Sequence, residues 1–281
     1  MGTVIDYLDF IEKVNPPEFF FEKKDMLVLR TGTNGFQPKF FTKDKKYFIK
    51  AQANISGVFM EDWLVEIIAS QFCEQLSIPV VKQCECKVHF SGHTLDSVYS
   101  DNFELDGYSF ISFEALLSSV GKTTKSDEYI KLGTVDKMKW AAKMLSEIGK
   151  ISYIECENYV VNLAIIDILV GNMDRHTHNF GLFYNNLTGE YGIPLIFDSG
   201  MGLFENDGYR DAYTSYESVM RTAYVAPYGE DPFDMLNIIY DNFDLSRFSF
   251  EELTIPSRFP NKFSKEYINN IFARLKELGL R

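Results

Sequence analysis

The alternation of apolar and polar residues divides the chain into two textures. Up to about residue 105 it offers short β-like runs, MLVLRTG, KKYFIKAQ, VVKQCECKV and TLDSVYS, punctuated by Gly, Asn and Asp. One helix interrupts them: in EDWLVEIIASQFCEQL the residues Met60, Trp63, Leu64, Ile67, Ile68, Phe72 and Leu76 recur at three- and four-residue steps, which predicts one apolar stripe with Glu66 on its edge. After residue 112 the period becomes helical in FEALLSSV, VDKMKWAAKMLSEIGK, ENYVVNLAIIDILVGN and SKEYINNIFARLKELGL, and the run from Tyr159 to Val170 is apolar enough for a central buried helix. Between 180 and 198, FGLFY, the turn NNLTGE and YGIPLIF predict a hairpin with Asn179 at its entrance and Asp198 just past its exit. The pattern therefore predicts a bilobal α+β architecture, with a small β-rich lobe over 1–107 and a larger helical lobe over 108–281.

Composition adds limits. With 46% hydrophobic residues among 281, the chain can bury a sizeable core. Its 28 Lys and Arg stand against 40 Asp and Glu, and a net charge of -12 disfavours direct binding of nucleic acid or of an anionic membrane. A phosphate site then needs specific cations, backbone N–H groups or a metal. Four cysteines with a single C-x-C pair do not complete a zinc set and fit reduced thiols. The N-terminal MGTVIDYLDFIEKV is acidic where a signal peptide would be basic, and no stretch reaches eighteen apolar residues, so a cytoplasmic protein is expected, or an effector secreted without a standard signal peptide.

Candidate chemistry concentrates in GNMDRHTHNFGLF (171–183) and IPLIFDSG (193–200). Asp174 precedes Asn179 by five positions, and Asp198 stands in D-x-G. Phosphoryl transfer requires a carboxylate near the attacking hydroxyl and an Asn/Asp pair for Mg²⁺, and the protein-kinase catalytic loop has that D-x-x-x-x-N spacing. The spacing alone also describes an ordinary turn; the buried helix before it and the hairpin after it make the difference. Upstream, RTGTNGFQPKF, with Gly32, Thr33, Gly35, Gln37 and Lys39, is a Gly-containing turn able to close over phosphates. Lys50 ends YFIK on the face shared with Phe48, where a charge needs a partner, and Glu66 on the following helix is the natural one. Lys39 competes for the phosphate role; its strand context favours Lys50.

On these residues the chain resembles the HipA-like family of bacterial serine/threonine kinases, including its short CtkA-type members. The family signature G-N-x-D-x-H-x-x-N-F is matched by Gly171, Asn172, Asp174, His176, Asn179 and Phe180, and GFQPK (35–39) is similar to the family's G-x-Q-x-K loop. The resemblance implies a protein-kinase-like fold using ATP and Mg²⁺, with Asp174 as catalytic base, Asn179 and Asp198 as metal ligands, and Lys50 with Glu66 positioning the phosphates. It also implies an adenine site between the lobes near Phe110 and Ile111 of GYSFISF, and a protein acceptor with a Ser or Thr hydroxyl. Family members phosphorylate a hydroxyl of their own Gly-rich loop, which makes Thr31 and Thr33 the candidates here. Relative to full-length HipA proteins the loop comes early, so a minimal kinase core is expected, with a small partner or antitoxin chain. Ser199 departs from the aliphatic residue usual after the metal Asp.

His176 reads equally as a group steadying the transferring phosphoryl or as a scaffold of the loop. Three rival readings compete. A phosphoinositide-type lipid kinase also shows Asp-Arg-His, Asn and D-x-G, which puts weight on Arg175. A metal-dependent hydrolase would use Asp174, His176 and His178, with only His89 and His93 left as further histidines. A nucleotide-binding pseudokinase would hold ATP without turnover.

Overall fold

The computed structural model describes residues 16–27, 37–55, 57–102, 107–204 and 215–281. The turn expected to cover phosphates, with Thr31, Gly32, Thr33 and Gly35, lies outside the described residues. The first sheet contains β1 (Glu18–Phe21), β2 (Lys39–Phe41), β3 (Tyr47–Ala51), β6 (Cys84–Phe90) and β7 (His93–Asp101) in the order β1-β6-β7-β3-β2. Only the β1–β6 pairing is parallel. Ser91 and Gly92 join β6 to β7 with φ of 50° and 80°, the two left-handed residues a tight hairpin turn needs. β4 (Asn54–Ile55) and β5 (Val58–Phe59) form a short ladder leading into α1 (Asp62–Gln75).

Alternation along β3 decides the placement of Lys50. Ile49 and Ala51 are fully buried in a small cluster with Phe40, Cys86, Val88 and Leu95 on one face of the sheet. Lys50 consequently points to the other face, where α1 lies. A single stripe was expected on α1, but the helix is enclosed on most of its circumference: Val65, Glu66, Ala69 and Ser70 are buried along with Trp63, Leu64, Ile68 and Phe72. The reason is that α1 packs between β7 and α5 (Tyr153–Leu169) rather than against one surface.

The helical part begins with β8 (Tyr108–Ser112) and α2 (Phe113–Ser119), α3 (Asp127–Ile130) and α4 (Thr134–Gly149), and α5 follows, buried continuously from Tyr159 to Val170. Beyond GNMDRHTHNF (171–180) come β9 (Gly181–Asn185) and β10 (Tyr191–Gly192), then α6 (Tyr216–Met220), α7 (Pro232–Asn242) and α8 (Lys262–Glu277). One large core joins α1, α2, α4, α5, α7 and α8. No described helix is long and apolar enough to cross a membrane. All four cysteines are free thiols.

GYSFISF contributes the edge strand β8 of a second sheet ordered β10-β9-β8, where Phe110 faces Phe183 and Ile111 faces Leu182. Of YGIPLIF only Tyr191 and Gly192 pair with β9. Pro194 has no N–H for a ladder, and the chain departs so that Ile196 bridges in parallel to Val80, just beyond α1. Ile196 N–H donates to the Pro79 carbonyl at 3.0 Å and Val81 N–H to the Ile196 carbonyl at 2.9 Å. That bridge carries Asp198 toward α1.

Close approach of β8 to β9 depends on Gly181, where an added Cβ would lie 2.1 Å from the Ile111 carbonyl oxygen. Gly181→Ala is expected to cost about 1–3 kcal/mol through overpacking, whereas Gly192→Ala, with open space at its Cβ, should change stability little. Denaturant unfolding of the two variants measures the contrast.

Candidate active site

Lys50, Glu66 and Asp198 come from a strand, a helix and the chain after a hairpin, and they meet. Lys50 Nζ donates to Glu66 Oε1 at 2.6 Å and to Asp198 Oδ1 at 2.7 Å. The Lys50 and Glu66 side chains are 7% and 2% exposed, while that of Asp198 is 32% exposed, so the cluster opens to solvent on the Asp198 side. Burial alone would strip the Lys50 proton, but Asp198 and Glu66 overcome it and hold the amine well above its ordinary pKa. Burial likewise opposes ionisation of Asp198, yet Lys50 and Lys39 outweigh it and hold the carboxyl well below its ordinary range.

The second oxygen of Glu66 accepts the Ser199 N–H at 3.2 Å. Asp198 itself is left-handed at φ 64°, unusual for a residue with a Cβ. A Cβ on Gly200 would lie 3.3 Å from Glu66 Oε1, and one on Gly202 would lie 2.5 Å from the Val170 carbonyl. Small residues after Asp198 thus let this loop run directly over α1 and the end of α5.

Lys39 sits opposite Lys50 in the β2–β3 register. Among the described residues its side chain has no hydrogen-bonding or ion-pair partner, and burial, countered by Asp198 but reinforced by Lys50, lowers its pKa. Both lysines that competed for the phosphate role therefore belong to one site. Gln37 lies by Asp62 at the start of α1, a carboxyl that burial pushes up to about 7. Phe110 sets its ring edge to face against Phe197 at 5.0 Å, beside Asp198, while Ile111 lies in β8 against Leu182.

The loop between α5 and β9 holds Asp174, His176 and Asn179. The Asp174 carbonyl accepts His176 N–H at 2.8 Å and Asn179 Nδ2 at 3.1 Å. Because the Asn179 amide nitrogen is committed to the loop, its Oδ1 is the atom available to a cation. With the Asp198 oxygen not held by Lys50, the donor set comprises two hard oxygens, which fits Mg²⁺ that keeps waters and phosphates as its other ligands. The Asp174 carboxyl is raised above its ordinary pKa, first by burial and then by Asp198, with His176 and Arg175 acting in the opposite direction. His176 Nδ1 accepts the His178 N–H at 3.3 Å, so a neutral His176 carries its proton on Nε2. Among the described residues no group of three or more His, Cys, Asp or Glu is placed to hold a metal.

Arg175 is not a surface group. It is 1% exposed and forms a buried pair with Asp167 of α5, its Nε and Nη2 both donating to the carboxylate at 2.9–3.3 Å. Its other donors reach the Asn179 carbonyl at 3.3 Å, the Phe197 carbonyl at 2.7 Å and Ser199 Oγ at 3.2 Å. One guanidinium thus ties the loop bearing Asn179 to the segment bearing Asp198, and its five-donor fork suits that task. Ser199, the departure from the family pattern, supplies a hydroxyl to this network. Asn172 completes it, donating to Asp167 at 2.8 Å and accepting Asp174 N–H at 3.1 Å. Gly171 is left-handed at φ 54° beneath the Tyr267 ring, which a Cβ would approach to 3.2 Å. Sequence reasoning missed Asp167; the signal was an ionisable residue within the apolar run 159–170, which demands a buried partner.

The two-lobed arrangement, with lysine, helix glutamate and post-hairpin aspartate converging, defines a kinase-like fold. The crystal structure of the proinflammatory kinase CtkA of Helicobacter pylori shares that fold, with a TM-score of 0.56 and 17% identity over 94% of this chain and 96% of that one. A chain of the HipA–HipB–operator DNA complex of Shewanella oneidensis MR-1 aligns with a TM-score of 0.46 and 14% identity over 92% of this chain, which spans 66% of that one. No protein-family model matches the sequence, and no curated protein does.

Arg175→Met should leave the Asp167 charge buried without its partner and lower stability by about 3–5 kcal/mol. Arg175→Lys, which keeps a charge but not the fork, should recover only part of that loss. Urea unfolding of the variants at neutral pH measures both.

Proposed function

We propose that the chain is an ATP- and Mg²⁺-dependent serine/threonine protein kinase. The observation that carries this reading is the contact of Lys50 with both Glu66 and Asp198, drawn from positions 16 and 148 residues away along the chain. Similarity of fold to CtkA agrees with it. Mg²⁺ would be held by Asn179 Oδ1 and Asp198, and when bound would neutralise charge on the nucleotide phosphates.

The chain's own residues account for the rest. Lys50, oriented by Glu66, and Lys39 give two cations for phosphate oxygens in a protein of net charge -12. Asp174 orients the acceptor hydroxyl and takes its proton as the oxygen attacks the γ-phosphorus and the bond to the β–γ bridging oxygen breaks, releasing ADP. His176, in the tautomer its loop bond favours, presents Nε2–H as a donor toward the transferring group. The acceptor we assign is a protein Ser or Thr, with Thr31 and Thr33 as self-acceptors. Arg175, part of the Asp-Arg-His pattern shared with lipid kinases, is buried and serves the loop's internal network.

Asp174→Ala is expected to lower the rate of phosphate transfer by ~10²–10⁴ fold with Mg-ATP affinity nearly unchanged, and Asp198→Ala to weaken Mg-ATP binding as well. Radiolabelled ATP offered with protein and lipid acceptors, alongside calorimetric binding, separates these outcomes; label in lipid alone would refute the protein-kinase assignment.

The pH profile gives an independent check. A base must be ionised to act, and the Asp174 pKa is raised, so activity should fall as pH drops through a value above the ordinary carboxylate range. Measuring kcat/KM against pH in the parent locates that limb, and a limb at the position of an unperturbed carboxylate would contradict the role.

A further inference from the structure

The pairing of Glu66 with Lys50 requires α1 to hold one rotation and one height over the sheet. A helix advances about 1.5 Å and turns about 100° per residue, so a slip of one residue would carry the carboxylate away from the amine. Contacts with the sheet and α5 bury α1, but apolar contacts are tolerant of small rotations. Ser70 also accepts the Gln83 N–H at 3.2 Å and Asp62 meets Gln37, and a further set of directional contacts, spaced toward the two ends of the helix, comes from the chain near its C-terminus, between Leu253 and α8.

At the start of α1, the Arg258 guanidinium lies over the Trp63 ring at 4.8 Å and pairs with Glu85 of β6 at 2.9 Å. At the end of α1, Gln75 Nε2 donates to Thr254 Oγ1 at 3.0 Å, while Thr254 N–H donates back to Gln75 Oε1 at 2.9 Å. Trp63 and Gln75 are twelve residues apart, about 18 Å along the axis, and Glu66 lies between them. The same segment also holds the loop after Asp198: Asn261 Nδ2 and Ser264 Oγ both donate to the Leu203 carbonyl, at 2.8 and 3.0 Å. Its base is fixed, since the Tyr267 hydroxyl of α8 donates to the Ile168 carbonyl of α5 and Phe272 packs against Phe72 of α1 at 6.0 Å.

We propose that residues 254–264 form a built-in clamp on α1, in which Thr254 and Arg258 are positioning residues that hold Glu66 within reach of Lys50 and Ser199. Its catalytic consequence rests on the kinase reading above; its effect on α1 does not. The clamp is covalently part of the chain, so the ion-paired arrangement of Lys50, Glu66 and Asp198 is maintained without an added subunit on this face of α1.

The test uses the full chain with Arg258→Ala, Thr254→Val and their combination, each also placed in a Glu66→Ala background. Amide hydrogen exchange over residues 62–75 should accelerate by roughly tenfold in the double variant, with α4 and α5 unchanged. Mg-ATP affinity, measured by calorimetry, should weaken about fivefold or more in the parent background and by less than about twofold once Glu66 is absent, because coupled residues are not additive. Arg258→Lys, which keeps the cation over Trp63, should restore most of the affinity. Unchanged exchange in α1, or an equal affinity loss with and without Glu66, overturns the clamp. A parent protein that binds no Mg-ATP overturns the kinase reading instead, and the exchange data then still decide the clamp.

Discussion

A protonated lysine buried beneath a sheet is the constraint from which the rest follows. Lys50 is placed on the inner face of β3 by alternation, since Ile49 and Ala51 occupy the small apolar cluster on the other side. An ammonium taken out of water without partners would lose its proton. Two carboxylates prevent that, and neither is local: one requires α1 to lie across the sheet, the other requires the chain after β9 and β10 to return to α1. Satisfying one charge therefore fixes the mutual placement of three distant parts of the chain. Such pairs contribute little net stability compared with apolar substitutes, but breaking one leaves a buried charge unpaired. The interaction is better understood as specifying an arrangement than as supplying the energy for it.

A second buried pair does the same for the other side of the site. Asp167 and Arg175 are both 1% exposed, and the guanidinium spends its remaining donors on the Asn179 and Phe197 carbonyls and the Ser199 hydroxyl. Ser199 belongs to both networks, through its N–H to Glu66 and its hydroxyl to Arg175. Asp198 stands immediately before this shared residue, in a left-handed conformation that an ordinary turn would not select. The strain is held in place by hydrogen bonds on both sides, as expected where local geometry serves a site rather than the fold.

Much of this was legible in the sequence because it is written in local spacing. Alternation put Lys50 inside, the three- and four-residue step put Glu66 on α1, and the five-residue interval joined Asp174 to Asn179. What local spacing could not express was enclosure from several directions. α1 reads as amphipathic because it contains Glu66, Ser70 and Gln71, yet Glu66 and Ser70 are buried where two surfaces close on it. GYSFISF also pairs with β9, a partner far along the chain that its own spacing does not reveal. Arg175 shows no partner in the local sequence until Asp167 of α5 is recognised, and that partner was disguised by an apolar run whose length suggested only packing. Tertiary partners of polar residues, not element types, were the unreadable part.

The gradient of exposure across the Lys50 cluster also gives the site a direction. Glu66 is closed off and accepts from both Lys50 and Ser199, so its contact with the amine has no reason to open when a ligand arrives. Asp198 is the accessible member, and Lys50 engages only one of its oxygens. On the proposed kinase reading, an incoming phosphate and its cation would meet the cluster at Asp198, sharing the ammonium and the second oxygen without exposing Glu66. Lys39 stands at the same side, depressed in pKa by its burial beside Lys50, and a phosphate dianion between the two amines would relieve their mutual repulsion. In the ligand-free arrangement Asp198 partly performs that service itself. On that reading one anion stands where part of another's charge would be placed, and binding would substitute charge for charge rather than create a new field in a low-dielectric cleft.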